Sequence, residues 1–210
     1  MFGFLVPFGM LSSIAFFTMI ILGQTMWVGY NPNTTFISEL TADGAPNHTL
    51  MRIISNISYI SLLLFAIGML FISFAKYRTA SRFGYASLLL MALISIVGFN
   101  AFPMTIDRML SVQNVLHILI TATMIIITII SKFFISGGYL KQDNLKKLGF
   151  LSLILTILFA IFNIWLLFAM IGNSNHVGII QRLGIYTFYI YIFILSCIYT
   201  FKFKRIISND

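Results

Sequence analysis

Charged side chains are scarce in this chain of 210 residues: they make up 9% of it, whereas a soluble domain carries about 25%. Hydrophobic residues make up 60%, and the mean hydropathy is +1.00. So few charges cannot cover a surface that faces water. The composition therefore excludes a soluble enzyme, a nucleic-acid-binding module and a disordered tail, and it predicts an integral membrane protein whose outer surface faces lipid.

Cysteine and the common catalytic motifs are also missing. Cys197 is the single cysteine, which excludes an internal disulfide and a cysteine-rich metal site. The chain contains no H-E-x-x-H, G-x-S-x-G, P-loop or dinucleotide-binding pattern. No cofactor is therefore expected. Zinc stays open only through ligands from separate segments, because no two histidines have i, i+4 spacing.

Long apolar runs are what the sequence does contain. A bilayer core of roughly 30 Å is crossed by about 20 apolar residues in a helix. Six runs meet this requirement: 4–26, 51–75, 83–102, 115–135, 150–171 and 178–201. None of them alternates in polarity as the strands of a membrane barrel do. The prediction is an all-α, six-span transmembrane helical bundle that forms a single domain over residues 1–210.

The distribution of Lys and Arg predicts the orientation of this bundle. Of the 13 Lys and Arg residues, ten fall on one side of the spans, and Arg52, Arg108 and Arg182 fall on the other. Cytoplasmic loops hold an excess of these residues. Both termini are therefore expected in the cytoplasm, and the long loop of residues 27–50 outside. The net charge of +8 then reflects the orientation of a multi-pass protein in the cell membrane. No nucleic-acid partner is needed to explain it.

Polar side chains gather near the outer ends of the predicted spans. Arg52 and Asn56 share one face where span 2 begins, Asn100 lies at the end of span 3, and His117 lies one turn inside span 4. Ionisable groups at membrane depth are costly, so they usually face the bundle interior or a wet cavity. We therefore expect an outward-facing polar pocket. Its predicted residues are Ser38, Glu39, Arg52, Asn56, Asn100, His117 and Arg182.

The long first loop is expected to carry a short helix at the membrane interface. Phe36, Ile37 and Leu40 are spaced to share its apolar face, which leaves Ser38 and Glu39 on the other. We expect Glu39 to fold back over the bundle, within reach of Arg52 or Arg182, rather than to lie in solvent.

Each of these polar residues also has a purely structural interpretation. Arg52 and Arg182 also fit side chains that snorkel to the interface and bind no ligand. His117 is equally consistent with a hydrogen-bonded packing residue. The pair Asp107 and Arg108 fits a solvated or helix-capping pair in a short loop.

Four short segments, in this order, resemble a known family. They are FISELTADGAPNHTLM at 36–51, GFNAFPMT at 98–105, VLHILIT at 115–121 and HVGIIQRLG at 176–184. Together they resemble the bacterial membrane-protein family catalogued as domain of unknown function 998, with its loop, Phe-Pro, His and Gly-x-x-x-Arg elements. The same loop and the mid-chain histidine are similar, more distantly, to DRAM/Frag-type eukaryotic membrane proteins, some of which are linked to lipid-anchor remodelling. Neither resemblance implies an established reaction.

Three functional hypotheses fit these observations. The first is a membrane protein of the bacterial inner membrane that binds a lipid head group or a small polar ligand in the outer pocket. The second is an intramembrane hydrolase or lipid-modifying enzyme that uses acid–base groups or metal ligands at the outer face. Its candidate residues are His117, His176, Asp107 and Glu39. The third is a structural protein in which the polar layer only locks the bundle. Membrane lipid is the expected partner in all three, and the oligomeric state is left open.

Overall fold

The computed structural model describes residues 3–106 and 111–201, and these residues form the expected all-α bundle. Six helices are long and apolar enough to cross a membrane, as predicted. They are α1 Phe8–Thr25, α2 His48–Lys76, α3 Thr79–Ala101, α4 Val112–Leu140, α5 Lys146–Ile171 and α6 Val177–Phe201. Three short 3-10 helices accompany them at Gly3–Leu5, Ile37–Thr41 and Asp143–Leu145. In these described ranges the β structure is limited to one isolated bridge between Asp43 and Thr105.

Helical structure follows from the solvent that these segments face. Lipid offers no hydrogen-bond partner, so an apolar segment must satisfy its own backbone groups. Helices α2 to α6 each begin before the predicted apolar runs, whereas α1 lies within its run of 4–26. Helix α4 extends to Leu140, past the predicted end at residue 135, because hydropathy marks only the lipid-facing stretch. Its 29 residues measure about 43 Å at the α-helical rise, so its ends lie outside a core of roughly 30 Å.

The helices form a closed ring in which each packs against its neighbours in the chain and α6 packs back against α1. Small residues allow the close approaches within this ring. At Gly84 of α3, a Cβ atom would lie 2.8 Å from the carbonyl oxygen of Ser131 and from the amide nitrogen of Ile135. Because both atoms belong to the backbone of α4, a larger residue at position 84 would separate the two helices.

One end of the ring carries the first loop and is called the loop end here. The loop end comprises residues 26–47, 102–106 and 172–176, which connect the helices on that side. The 3-10 helix Ile37–Thr41 confirms the short helix expected there, and Ile37 and Leu40 are buried on the bundle. Glu39 is also buried, as expected, at 3% exposure. Its Oε1 accepts a hydrogen bond from the Phe36 amide at 2.9 Å, which caps the 3-10 helix.

Toward the opposite end, Lys132 of α4 is completely buried. Its Nζ donates to the carbonyl oxygen of Leu155 at 2.9 Å and lies 5.0 Å and 4.8 Å from the ring centres of Phe159 and Tyr191. Lys132 is one of the ten Lys and Arg residues that the sequence predicts on the cytoplasmic side. The structure places it inside the bundle instead, between α5 and α6, because a lysine stem is long enough to turn its amine inward.

Four tyrosine hydroxyls connect the elements of this opposite end. Tyr77 donates to the Tyr199 hydroxyl at 2.6 Å, and Tyr139 and Tyr199 hydroxyls lie 2.8 Å apart. The Tyr85 hydroxyl in turn hydrogen-bonds to that of Tyr139. The chain of hydroxyls joins the α2–α3 turn, α6, α4 and α3, and it satisfies polar groups that lipid could not.

Candidate functional site

A small cleft opens at the loop end between α2, α3, α4 and the first loop. Its described lining consists of Thr41, Arg52, Ser55, Asn56, Tyr59, Phe99, Asn100, Pro103 and His117. The cleft leaves about 20 Å³ in which the centre of a water molecule can lie. A volume near 10–15 Å³ holds roughly one water molecule. The cleft thus has room for one or two small polar groups, and four of the seven predicted pocket residues line it: Arg52, Asn56, Asn100 and His117.

Arg52 is fixed at the edge of the cleft by the first loop. Its Nε donates to the carbonyl oxygen of Thr41, and its Nη2 donates to Oδ1 of Asp43, each at 2.7 Å. Nη1 makes no hydrogen bond to any part of the chain that the structure describes. Glu39 was expected within reach of Arg52 or Arg182, but the ion pair that Arg52 forms within the described residues is with Asp43. The reason is the path of the loop, which turns Glu39 toward the Phe36 amide.

Asp43 connects Arg52 to the loop between α3 and α4. Oδ2 accepts from Nε2 of Gln113 at 3.0 Å, and the same nitrogen also donates to the Pro103 carbonyl at 2.7 Å. The Asp43 amide donates to the Met104 carbonyl at 2.7 Å. Partial burial acts to raise the pKa of the Asp43 carboxyl, but the hydrogen bonds from Arg52 and Gln113 outweigh it and hold that pKa below its usual value.

Asn56 and Asn100 join α2 to α3 across the cleft. Asn56 Nδ2 donates to Oδ1 of Asn100 at 3.1 Å, and Asn100 Nδ2 donates to Oδ1 of Asn56 at 2.7 Å. Asn100 Nδ2 also donates to the Ile96 carbonyl in its own helix at 2.7 Å. This reciprocal pair fixes both amides, so the wall of the cleft is rigid at this point.

His117 faces the bundle interior, as its position on α4 predicts, and it is 7% exposed. Its Nδ1 lies 2.9 Å from the carbonyl oxygen of Phe102. Because a carbonyl oxygen only accepts, Nδ1 carries the hydrogen and Nε2 is the acceptor of the neutral ring. The ring also packs on Phe99, with 5.1 Å between centres. The Phe102 carbonyl therefore sets both the tautomer and the orientation of the imidazole.

Ser55 and Tyr59 also line the cleft, although neither was among the predicted pocket residues. Ser55 is 3% exposed, and its Oγ makes no hydrogen bond of good geometry among the described residues, although it interacts with the Tyr59 hydroxyl. The signal that could have found them is helical spacing, because they follow Arg52 by three and seven positions and so share its face of α2.

Arg182 lies outside the described lining of the cleft and binds the first loop instead. Its Nη1 donates to the carbonyl oxygens of Pro32 and Thr35, each at 2.8 Å, and of Gly178 at 2.9 Å. Its Nη2 hydrogen-bonds to the Tyr30 hydroxyl. Burial raises the pKa of that hydroxyl, while the charge of Arg182 acts in the opposite direction. Arg182, at 2% exposure, is thus a clamp that fastens residues 30–35 to α6.

Gly178 makes this clamp possible. A Cβ atom at position 178 would lie 2.5 Å from the Pro32 carbonyl oxygen and 2.6 Å from that of Thr35. The loop carbonyls could not then reach Arg182 one turn further along α6. The Gly-x-x-x-Arg spacing therefore has a packing reason, which is that position 178 admits the loop and position 182 binds it.

The remaining predicted residues do not line the cleft in the part of the chain described. Ser38 donates to Sδ of Met104 at 3.2 Å, and Glu39 caps its 3-10 helix. His176 is exposed where α6 begins, and Asp107 lies outside the described residues. Within residues 3–106 and 111–201, no group of three or more His, Cys, Asp or Glu side chains could hold a metal ion.

A family model described as "Protein of unknown function (DUF998)" matches residues 10–198. The chain belongs to this family. The match begins inside α1 and ends inside α6, so the loop segment, the Phe-Pro, the His and the Gly-x-x-x-Arg elements belong to a single family domain. No curated protein matches the chain, and no solved structure matches it. This DUF998 protein is a polytopic, membrane-type protein of six apolar helices.

Proposed function

We propose that this DUF998 protein binds the polar head group of a membrane lipid in the cleft at the loop end, which faces the outside of the cell membrane. In this proposal the first loop covers one side of the bound group. The acyl chains stay in the bilayer beside α2, α3 and α4. The protein acts as a binding or accessory factor and not as a channel, since the space in the cleft suits one or two small polar groups.

The observation that carries the proposal is Ser55. The Oγ of Ser55 is buried in the wall of the cleft without a hydrogen bond of good geometry in the described chain, and it interacts only with the neighbouring Tyr59 hydroxyl. A buried hydroxyl that is poorly satisfied costs up to about 1–3 kcal/mol, and the same wall also presents Arg52 and His117. These side chains offer donors from Ser55, Tyr59 and Arg52 and an acceptor at Nε2 of His117. A head group that carries both hydroxyl and ester or phosphate oxygens has the matching set of acceptors and donors.

The test is recovery of lipid with the purified full-length protein. Protein extracted from its native membrane in polymer-bounded nanodiscs is washed, transferred to detergent and analysed for bound lipid by native mass spectrometry. We expect about one lipid per chain. Ser55→Val and His117→Leu should each lower the occupancy by about tenfold, which corresponds to 1.4 kcal/mol.

A matched control separates loss of the site from loss of the fold. Asn163 of α5 lies outside the described lining of the cleft, and its Nδ2 donates to the Phe159 carbonyl at 2.8 Å. Asn163→Leu should keep the bound lipid. Wild-type occupancy in folded Ser55→Val and His117→Leu variants would contradict the proposal.

A second function, a lipid-modifying hydrolase, is favoured by one observation. The Phe102 carbonyl fixes Nε2 of His117 as an acceptor, and the poorly satisfied hydroxyl of Ser55 lines the same cleft. In an acyl transfer, Nε2 would take the Ser55 proton as Oγ attacked an ester carbonyl and would then pass that proton to the departing alcohol. Water would afterwards hydrolyse the acyl-serine. Labelling of wild type but not of Ser55→Ala by a lipid-like fluorophosphonate would support this hydrolase over the binding protein. Zinc that copurifies at one per chain and disappears in His117→Ala would support a metal-dependent enzyme.

A further inference from the structure

Among the described residues that line the cleft, Arg52 is the single charged side chain. Its guanidinium has five N–H donors in a planar fork. The structure uses one donor of Nε on Thr41 and one donor of Nη2 on Asp43, and Nη1 has no partner within the described chain. Planar forks of this kind bind carboxylate and phosphate in a bidentate manner. The cleft is therefore better suited to an anionic group than to a neutral one.

Asp43 already occupies part of this fork. Its carboxylate is the negative group that Arg52 holds, at 2.7 Å, and the loop brings it there from outside the cleft. The side chains of Arg52 and Asp43 are 30% and 48% exposed, so this ion pair lies where water and ligands can reach it. The Asp43 carboxylate would compete with a second anion for the Arg52 guanidinium, and its negative charge would also repel that anion.

We propose that the cleft binds an anionic group of the phosphate type through Arg52 and that Asp43 is a built-in competitor for that guanidinium. The inference rests on the proposed head-group function and names its ligand class. Binding replaces or weakens the Asp43–Arg52 ion pair, so that the loop carboxylate restrains affinity for the anion. Two sources can supply the chemistry, the phosphodiester of a lipid head group and free inorganic phosphate.

The experiment measures affinity in the full-length protein held in phosphatidylcholine nanodiscs at fixed ionic strength. The probes are inorganic phosphate and the short-chain lipid dihexanoyl-phosphatidylglycerol. Asp43→Asn keeps the size of the side chain and removes its charge. It should tighten binding of the anion by about fivefold, the upper range for an exposed ion pair. Arg52→Gln should weaken binding by about tenfold or more.

The control is a second exposed ion pair at the opposite end of the bundle. Lys146 and Asp143 lie 2.7 Å apart on the α4–α5 connection. Asp143→Asn also removes one negative charge from the protein, so any effect of net charge alone would appear in both variants. We expect Asp143→Asn to leave both affinities unchanged.

The outcomes separate the sources and the hypotheses. Tightening with the lipid probe alone supports a lipid head group, and tightening with both probes supports phosphate in general. Weaker or unchanged anion binding in Asp43→Asn, or unchanged binding in Arg52→Gln, overturns the inference. If His117→Leu still lowers lipid occupancy by about tenfold in that case, the head-group proposal stands with a neutral ligand. If it does not, both proposals fail.

Folding defects do not prevent the test. If Asp43→Asn does not fold, Gln113→Leu replaces it, because this change removes the second donor to the carboxylate and leaves Arg52 intact. Gln113→Leu should also tighten binding of the anion, because an Asp43 carboxylate that is held less firmly competes less well for Arg52. Weaker anion binding in folded Gln113→Leu would overturn the inference.

Discussion

Arg182 and Thr35 are 147 residues apart in the chain, yet Nη1 of Arg182 donates to the Thr35 carbonyl oxygen at 2.8 Å. The contact closes the ring of helices at the loop end, because Thr35 belongs to the first loop and Arg182 to the last helix. Gly178 allows the approach, and the next residues of the loop form the 3-10 helix that leads to the cleft. The clamp therefore positions Thr41 and Asp43 at Arg52, although Arg182 itself lies outside the cleft lining.

The clamp should contribute strongly to stability. Arg182→Gln removes the charged donor from three carbonyl oxygens in a buried setting. Hydrogen bonds to charged groups contribute about 1.5–3 kcal/mol each and are not additive, so we expect a loss of about 3–5 kcal/mol, the range for breaking a buried charged contact. Unfolding by sodium dodecyl sulfate, followed by circular dichroism, measures the change. Lys147→Gln, at an exposed position, is the control, and equal stability of the two variants would contradict the clamp.

A single methyl group at position 178 should displace the same loop. Gly178→Ala places Cβ 2.5 Å and 2.6 Å from two backbone oxygens, which cannot rotate away. Overpacking of this kind costs about 1–3 kcal/mol. At Gly137 of α4 an added Cβ meets nothing within 4 Å, so Gly137→Ala should instead stabilise the helix by up to about 1 kcal/mol. Thermal melting of the two variants in detergent gives the comparison, and shifts of the same sign would argue against the close approach at Gly178.

The sequence predicts the six helices well because length and hydropathy act locally. It also predicts correctly that His117 turns inward and that Asn56 and Asn100 line the same cleft, since helical spacing sets the face on which each side chain lies. It does not predict which partner each arginine finds. The pairing of Arg52 with Asp43 rather than Glu39 depends on the course of a two-dozen-residue loop, and neither hydropathy nor periodicity determines that course.

The orientation of the bundle stays a prediction from the Lys and Arg count, and two exposed positions can test it. Val28 is 98% exposed in the first loop, and Thr79 is exposed where α3 begins at the opposite end. Thr41 is a poorer position for a reporter cysteine in the first loop, because it is half-buried. In a Cys197→Ala background, Val28→Cys should react with a membrane-impermeant maleimide in intact cells, and Thr79→Cys should react only after lysis. The reverse pattern would place the cleft on the cytoplasmic side.

The ion pair at Asp43 should make stability depend on acid pH. Because hydrogen bonds from Arg52 and Gln113 hold the pKa of Asp43 below its usual value, the carboxylate contributes stability at pH values above the unfolded-state pKa, about 3.9. That contribution is lost as the pH falls through the lower folded-state pKa. The melting temperature of wild type should therefore exceed that of Asp43→Asn at neutral pH, and the gap should narrow as the pH falls below about 3.9. A gap that stays constant from pH 7 to pH 3 would exclude a role for the Asp43 charge.

Lys132 offers the sharpest test of what a buried charge does in this bundle. Its ammonium is fully buried with one carbonyl and two ring faces, and the described residues provide no acidic group within 4 Å. Replacing a buried charge by an apolar side chain of similar volume is often neutral or stabilising by about 1–4 kcal/mol. Lys132→Met should therefore leave the melting temperature unchanged or raise it. Lys132→Ala removes the same charge but leaves a cavity, and it should cost about 2–5 kcal/mol. Lys132→Met could instead lower stability as much as Lys132→Ala does. In that case the Leu155 carbonyl and the rings of Phe159 and Tyr191 stabilise the cation by more than its burial costs. The charge itself would then hold α4 to α5 and α6.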